Sequence, residues 1–189
     1  MKNDQTVSSP TEKLILVDKS DRKIGQITKQ DAHQGKGRLH RAFSIFLFND
    51  QKQLLLQKRS LKKPLWPGFW ANSCCSHPRV GEELEEAVHR RLEQELNVST
   101  VVHYLYKFEY KASFKDVGTE HELCSVWLGR VREEDIEFNR EEISDIKYVP
   151  IENMGKELAR NSDICTPWLK LEWKTIQSEH LERVLSIIA

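Results

Sequence analysis

The sequence predicts a single α/β domain in which helices cover a β-sheet. Three observations lead to this fold class. Apolar segments with strand-like alternation are interspersed with segments of helical periodicity. The 189 residues suit one hydrophobic core. No internal repeat or low-complexity block interrupts them. Together these features indicate an α/β sandwich of mixed β-strands and flanking helices.

The first half of the chain carries strand signals. "LILVD" (14–18) and "RAFSIFLFND" (41–50) are rich in β-forming residues, and "LLLQKR" (54–59) follows after a polar turn. The last two segments therefore predict a hairpin. The pattern is then broken by Pro64, Pro67 and Gly68.

An amphipathic helix is predicted over 82–96. Its apolar residues recur at three- and four-residue steps, namely Leu84, Ala87, Val88, Leu92 and Leu96. Acidic residues fill its first turns, where the helix dipole favours negative charge.

The second half alternates strands and helices. Residues 100–111 and 122–131 predict a pair of strands joined by "KDVGTE" (115–120). Residues 146–150 predict a further strand, and the helical periodicity of 151–160 and 168–187 predicts two helices.

Composition argues against two classes of partner. Lys plus Arg equals Asp plus Glu at 29 each, so the summed charge does not favour nucleic acid or an anionic membrane. Residues 1–12 form a polar N-terminal tail without the apolar run of a secretory signal, and no segment is apolar enough to span a bilayer. We therefore expect a cytoplasmic protein with a small-molecule ligand, no nucleic-acid partner and no membrane.

The cysteines do not suggest a disulfide framework. Two of the four, Cys74 and Cys75, are adjacent, and the others are Cys124 and Cys165. A structural zinc site with His77 is one interpretation, but no second cysteine pair completes it. Cys75 is also a candidate proton-transfer group or nucleophile, and an inert buried thiol is the remaining alternative.

Five residues suggest a metal site. Glu120 and Glu122 stand two apart, a spacing that places both carboxylates on one face of a strand and His121 on the other, so His121 is not expected to bind metal. Three imidazoles with two carboxylates would suit six-coordinate Mn²⁺ or Mg²⁺ or a distorted Zn²⁺ site. The candidate ligands are His33, His40, His77, Glu120 and Glu122, and the alternative is that the histidines are ordinary surface or core residues.

A basic segment suggests a phosphate site. Arg59 can bind phosphate through two hydrogen bonds, and Lys63 can do so as a point charge. Arg91 and Glu95 share a helix face, where the guanidinium could meet phosphate and the carboxylate could hold Mg²⁺. A solvated charge run and a surface ion pair are the alternatives.

Taken in order, these residues resemble the type I isopentenyl diphosphate isomerases, a branch of the Nudix fold. The similar strings are "AHQGKGRLHRAFSIFLF", "RSLKKPLWPGFWANSCCSHPRVGEELEEAV", "RRLEQEL", "GTEHELC" and "TPWLKLEW". They extend over about residues 24–173, and their common order and spacing make the resemblance specific. Residues 174–189 lie outside it and predict a C-terminal helix, either an accessory helix or an interface of a homodimer; a monomer is equally open.

The resemblance implies a conversion of isopentenyl diphosphate into dimethylallyl diphosphate, a step that supplies isoprenoid precursors. It implies that the three histidines and two glutamates bind one divalent ion, Mn²⁺, Zn²⁺ or Mg²⁺. Cys75 would act as base and Cys74 would serve packing. Glu122, assisted by Tyr110, would form the proton-donor side, and Trp168 would stabilise the carbocation.

The resemblance also implies how the diphosphate is held. A Mg²⁺ ion would bind it through Glu95 and the backbone carbonyl of Cys75. The cationic contacts would come from Lys29, Arg59, Lys63 and Arg91.

Hydrolases of the Nudix fold carry a motif that this helix lacks in part. Arg91 and Gln94 replace two of its glutamates, and Asn97 replaces its glycine. Fewer carboxylates for magnesium disfavour hydrolysis. The alternatives to an isomerase are a Nudix pyrophosphohydrolase of a nucleoside or sugar diphosphate and a non-catalytic module with structural zinc.

Overall fold

The structure, a computed structural model, describes residues 6–189 and confirms the single mixed α/β domain. Of the predicted N-terminal tail, residues 1–5 lie outside the described residues. The strands are β1 Lys13–Val17, β2 Lys23–Thr28, β3 His40–Phe48, β4 Gln53–Arg59, β5 Trp70–Ala71, β6 Cys74–Ser76, β7 Val102–Phe114, β8 Gly118–Arg130 and β9 Ile143–Pro150. The helices are α1 Lys29–His33, α2 Leu84–Leu96, α3 Met154–Arg160, α4 Pro167–Thr175 and α5 Leu181–Ile187, with a π-helical segment at Ile176–His180.

Strand β3 lies at the centre of the sheet. It runs parallel to β8 along its whole length, from the His40–Glu122 pair to the Phe48–Arg130 pair. Over three residues it also pairs antiparallel with β6, where Ser44 faces Cys75. The sheet therefore brings three segments with predicted site residues side by side.

Both faces of β3 are covered, which explains its almost continuous apolar sequence. Phe43, Ile45 and Leu47 contribute to a core cluster with the apolar face of α2. Phe46 and Phe48 point to the other face and contribute to a cluster with α4 and α5. The period of two along the strand thus separates two cores, and the domain has helices on both sides of the sheet.

Helix α2 ends where the sequence departs from the hydrolase motif. Asn97 follows the last helical residue and has φ 57° and ψ 33°, a left-handed conformation that glycine adopts most easily and asparagine tolerates. The glycine-to-asparagine replacement therefore preserves the C-terminal cap of the helix.

The structure differs from the predicted elements in three places. Strands β3 and β4 share a single residue pair, Phe48–Leu54, because β4 pairs along its length with β9. Strand β8 begins at Gly118, inside the predicted connection, because pairing with β7 starts directly after a three-residue turn. Strand β2, helix α1 and the short strands β5 and β6 carry too little periodic signal to be predicted.

Candidate active site

Four elements bring the five candidate metal ligands together. His33 ends α1, His40 begins β3 and His77 directly follows β6. Glu120 and Glu122 lie on β8 with their carboxylates on one face. One potential ligand atom of each residue lies within 4.8 Å of all the others, so the five form a compact group that we call the His/Glu cluster.

Imidazole nitrogens and carboxylate oxygens meet at the centre of this cluster. His77 Nε2 lies 2.9 Å from Glu122 Oε1, and His40 Nε2 lies 3.6 Å from the same oxygen. His33 Nε2 lies 2.6 Å from Glu120 Oε2. Burial would raise the pKa of Glu120, but the neighbouring His33 outweighs it and lowers that pKa. Burial, with the charge of Lys29, lowers the pKa of His77 well below its usual value.

Backbone carbonyls orient two of the imidazoles. His33 Nδ1 lies 2.6 Å from the carbonyl oxygen of Lys29, and His40 Nδ1 lies 2.7 Å from that of Arg38. Because the Nδ1 hydrogens are directed to these carbonyls, both Nε2 lone pairs face the centre of the cluster.

Three polar atoms of the cluster residues lack hydrogen bonds. His40 Nε2, His77 Nδ1 and Glu120 Oε2 are fully buried without a hydrogen-bond partner. Buried polar atoms are otherwise almost always satisfied, so the convergence of the His40 and Glu120 atoms fits a bound cation. Three nitrogen and two oxygen donors are compatible with Mg²⁺, Mn²⁺ or Zn²⁺, and the donor set alone does not select among them.

A cavity of about 740 Å³ adjoins the His/Glu cluster. Most of the predicted site residues line it, from both the acidic and the basic sides: Lys29, His33, Arg59, Lys63, Cys75, His77, Arg91, Tyr110, Glu120, Glu122 and Trp168. Two predicted residues, His40 and Glu95, are buried behind this lining. The volume is in the range of small-molecule sites.

The two adjacent cysteines point to opposite sides of β6. Cys74 is fully buried in the core cluster with α2, whereas Cys75 lines the cavity. A zinc site built from both thiols and His77 is therefore not formed in the described residues, where the potential metal cluster contains no cysteine. Cys75 Sγ donates to Asn72 Oδ1 at 2.7 Å and accepts from Ser44 Oγ at 3.8 Å.

Tyr110 and Trp168 line the cavity together with Cys75 and Glu122. Tyr110 Oη donates to Glu122 Oε2 at 2.7 Å. Burial, followed by the charge of Glu122, raises the pKa of Tyr110 well above its usual value. The Trp168 ring lies 6.2 Å from the Tyr110 ring, and the Arg59 guanidinium carbon lies 5.2 Å from the Trp168 ring.

The cationic end of the cavity is buried, which argues against a simple solvated charge run. Lys63 forms an ion pair with Glu142, and Arg91 pairs with Glu95. Burial lowers the pKa of Lys63 well below its usual value. Burial and the charge of Arg91 also lower the pKa of Lys29. Cations that crowd each other in a dry site favour an anionic ligand.

Residues 6–12 contribute to this end of the cavity. The carbonyl oxygen of Val7 accepts from Arg91 Nη1 at 2.9 Å, and Ser8 Oγ accepts from Lys29 Nζ at 2.5 Å. Both cations are therefore held in place by the N-terminal segment.

Comparison with known proteins gives a consistent assignment. The NUDIX domain family matches residues 38–169. Isopentenyl-diphosphate Delta-isomerase 1 of Photorhabdus laumondii is 42% identical over 175 residues, which cover 92% of this chain and 99% of the relative. Isopentenyl-diphosphate Delta-isomerase 2 of the same organism is 45% identical over 83% of this chain and 88% of its own length. The Pectobacterium atrosepticum isopentenyl-diphosphate Delta-isomerase is 34% identical over 90% of this chain and 98% of the relative.

The chain belongs to the isopentenyl-diphosphate Delta-isomerases of the Nudix family. This finding confirms the resemblance, the enzyme class and the function predicted from the sequence. The crystal structure of the Deinococcus radiodurans protein DR0079 supports the fold, with a TM-score of 0.65 and 29% identity over 79% of this chain and 90% of that protein. The MutT protein of Methanosarcina mazei shares the fold at a TM-score of 0.59 and 17% identity, over 75% of this chain and 94% of its own.

The isomerase differs from Nudix hydrolases at a position that the structure explains. Arg91 replaces a glutamate of the hydrolase motif, and its buried guanidinium contacts Glu95. A cation therefore occupies the place that the hydrolase motif gives to a carboxylate.

Three residues that contact the site were missed by sequence reasoning: Ser44, Asn72 and Glu142. Ser44 and Asn72 contact the Cys75 thiol, and Glu142 pairs with Lys63. The position of Asn72 in the string "NSCCSHP" is the one signal that could have drawn attention to it. Among residues 6–189, no helix is both long and apolar enough to cross a membrane.

Proposed function

We propose that this isomerase interconverts isopentenyl diphosphate and dimethylallyl diphosphate in the 740 Å³ cavity. The observation that carries the proposal is the placement of Cys75 and of the Tyr110–Glu122 pair in the lining of one cavity with buried cations. The reaction adds a proton to the terminal methylene carbon and removes one from the carbon on the other side. Two proton-transfer groups that share a substrate pocket meet this requirement.

Tyr110 and Glu122 form the proposed donor side. Tyr110 holds its proton at neutral pH and directs it at Glu122 Oε2. Their hydrogen bond couples the two groups, so a proton given to the alkene from one can be replaced from the other. A dry environment favours this transfer, because no water competes for the proton.

Cys75 forms the proposed acceptor side. As a thiolate it takes the allylic proton onto its sulfur and becomes a thiol, and the electron pair of the broken C–H bond forms the new double bond. Burial, followed by the charge of Glu172, raises the pKa of the Cys75 thiol, whereas Arg59 opposes this effect. The thiol form that this raised pKa favours is the form that donates a proton when the reaction runs in reverse.

Trp168 covers the pocket between the two sides. Its indole is 3% exposed, and its face can stabilise a nearby positive charge by about 2 kcal/mol when water is excluded. The tertiary carbocation expected between the two proton transfers would need this protection, because water would otherwise add to it.

The basic end is proposed to hold the diphosphate. The cations that would contact it are Lys29, Arg59, Lys63 and Arg91. Arg59 is oriented by the carbonyl oxygen of Leu65, to which its Nη2 donates at 2.8 Å. We propose that Glu95 and the backbone carbonyl of Cys75 hold a Mg²⁺ ion there and that the His/Glu cluster holds a second divalent ion. The positive charge of these ions would stabilise the diphosphate and the carboxylates in a buried site.

Conversion of isopentenyl diphosphate tests the proposal. Purified protein supplied with divalent metal should yield dimethylallyl diphosphate and release no inorganic phosphate or diphosphate. Phosphate release from isopentenyl diphosphate or from a nucleotide panel, without isomerisation, would support the pyrophosphohydrolase instead. Unchanged isopentenyl diphosphate would overturn the proposal.

Substitution of the two neighbouring cysteines tests the assignment of Cys75. We expect Cys75→Ala to lower kcat by about 10³-fold, because it removes the proton acceptor, while circular dichroism and metal content stay as in the wild type. Cys74→Ala is the matched control, since Cys74 faces the core away from the cavity. Loss of folding and metal together in Cys75→Ala would favour a structural zinc module.

A further inference from the structure

Glu172 is a buried acid outside the proposed catalytic set. It lies on α4 one turn after Trp168 and is 0% exposed. Within residues 6–189 no cation forms an ion pair with it, and its Oε2 atom has no hydrogen-bond partner. A carboxyl group without an ion pair is costly to bury in a protein core.

Burial raises the pKa of Glu172 to about 8, although a hydrogen bond with Ser44 limits the rise. The carboxyl group is therefore protonated at neutral pH. In that form it carries an O–H donor, whereas the ionised form can only accept hydrogen bonds.

A short line of polar side chains leads from Glu172 to the cavity. Glu172 Oε1 lies 3.8 Å from Cys124 Sγ, and Cys124 Sγ lies 3.4 Å from Ser44 Oγ. Ser44 Oγ in turn donates to Cys75 Sγ at 3.8 Å. Each of these residues comes from a different strand or helix, so the line exists only in the folded protein.

At the Cys75 end of this line, hydrogen bonds fix the orientation of the Asn72 side-chain amide. Asn72 Nδ2 donates to the backbone carbonyls of Ile45 at 3.2 Å and Cys74 at 3.0 Å. The Asn72 amide oxygen must therefore point to Cys75, whose thiol donates to it at 2.7 Å. Once Cys75 gives up its proton, the Ser44 hydroxyl is the neighbour among these that can still donate to the sulfur.

We propose that protonated Glu172 is a positioning residue that keeps the Ser44 hydroxyl hydrogen directed at the Cys75 sulfur. The inference deepens the proposed isomerase function and rests on it for the role of Cys75. In its protonated form the acid joins Cys124 Sγ as a donor to the Ser44 oxygen, which leaves the Ser44 hydrogen for Cys75. An ionised Glu172 accepts that hydrogen instead and leaves the sulfur without its donor.

Among the titratable groups around this line of side chains, Glu172 is the one expected to change its charge near pH 8. Burial keeps the pKa values of Cys124 on β8 and of Tyr106 on β7 above their usual ranges, so both stay neutral near pH 8. Tyr106 Oη donates to the Glu172 backbone carbonyl at 3.0 Å and not to its carboxyl group. Cys75 on β6 is a thiol, Ser44 on β3 does not titrate, and Glu122 on β8 adds negative charge that favours protonated Glu172.

Steady-state kinetics of Glu172→Leu and Glu172→Gln test the inference. We expect Glu172→Leu to lower kcat about tenfold with KM within about twofold, because the diphosphate contacts are unchanged. Glu172→Gln supplies a neutral N–H donor, so it should retain kcat at pH 7. We expect kcat of the wild type to decline above about pH 8, as Glu172 ionises, and Glu172→Gln should lack this decline. Glu179→Gln, an exposed change in the π-helical segment Ile176–His180, is the control.

The double variant Ser44→Ala/Glu172→Leu tests whether Glu172 acts through Ser44. We expect it to be no slower than Ser44→Ala alone, because both changes remove the same hydrogen bond. Multiplicative losses would overturn the inference. So would wild-type kcat in Glu172→Leu, or an alkaline decline that persists in Glu172→Gln.

Alkylation of Cys75 separates a failure of this inference from a failure of the proposed function. The rate of reaction with iodoacetamide, followed by peptide mass spectrometry at pH 7, needs no turnover. We expect Ser44→Ala and Glu172→Leu to slow alkylation of Cys75 about equally, with Glu172→Gln close to the wild type. Unchanged alkylation in Glu172→Leu would overturn the inference even in an active isomerase, and the expected pattern would sustain it without isomerase activity.

Discussion

Single residues at the site show which parts of the geometry a sequence reveals. The strand period of two places Glu120 and Glu122 on one face, and the structure shows this, with His121 directed at Glu109 on the other. The same period separates Cys74 from Cys75. Glu172 was not predicted, because helical periodicity places it on the buried face of α4 but does not say which sheet residues it meets.

Glu172 predicts a specific dependence of stability on pH. Its pKa rises from 4.5 to about 8 on folding, so the folded protein keeps a proton that the unfolded chain loses. The free energy of unfolding contributed by this group is therefore fully present below pH 4.5 and decreases as pH rises to about 8. Glu172→Gln removes this loss, which amounts to a few kcal/mol, roughly 5 kcal/mol at most.

Urea unfolding of the wild type and Glu172→Gln at several pH values measures this effect. The variant should gain stability over the wild type between pH 5 and pH 8.5, and ionisation of all other groups cancels in the difference. A difference that does not vary with pH would contradict a protonated carboxyl group in the core.

His40 tests the His/Glu cluster at the level of one side chain. His40→Ala should reduce the bound divalent metal by at least about tenfold at limiting metal concentration, because it removes an oriented nitrogen ligand. His121→Ala should bind metal like the wild type, since its imidazole lies 3.0 Å from Glu109 outside the cluster. Metal analysis after gel filtration checks both variants. Equal metal content in the two would refute the assigned ligand set.

At the scale of elements, the N-terminal end of β8 connects the sheet with the His/Glu cluster. Strand β8 begins at Gly118, two residues before Glu120, and contacts α1 where His33 ends that helix. The connection predicted over 115–120 missed this, because "KDVGTE" has turn-like composition, whereas pairing of Gly118 with Phe114 extends the strand. Tertiary pairing thus outweighs local composition at this point.

Gly118→Ala tests this contact between elements. A Cβ atom at Gly118 would lie 2.8 Å from the backbone carbonyl oxygen of His33, so α1 or β8 must move. We expect weaker metal binding, by about tenfold, because the shift displaces His33 from Glu120. Titration with Mn²⁺, followed by isothermal calorimetry, measures the change.

Gly155→Ala is the matched control for this contact. The nearest side-chain atoms to a Cβ atom at Gly155 in α3 lie 4.0 Å away, so alanine fits. We expect unchanged Mn²⁺ affinity and a gain in stability of about 0.5 kcal/mol, because alanine favours a helix more than glycine does. Equal Mn²⁺ affinities for the two alanine variants would show that the approach of Gly118 to His33 does not matter for the cluster.

At the scale of the whole molecule, the sequence predicted the layers better than the connections. The two apolar faces of β3 and the single apolar face of α2 are visible in the sequence, and they require helices on both sides of a sheet. The parallel pairing of β3 with β8 joins residues about 80 positions apart, for which local patterns carry no signal. The predicted β3–β4 hairpin likewise reduced to one pair, because β4 pairs along its length with the distant strand β9.

Removal of metal should affect the stability of the entire domain. The ligands of the His/Glu cluster come from α1, β3, β8 and the residue after β6, so a bound ion would connect four elements that unfolding separates. An ion that binds the folded chain alone stabilises it by about 2.7 kcal/mol at a concentration 100 times its Kd. Chelation should lower Tm by several degrees, and added Mn²⁺, Zn²⁺ or Mg²⁺ should restore it. The His40→Ala variant should show little response to the chelator; a Tm of the wild type that is equally insensitive would mean that no ion connects these elements.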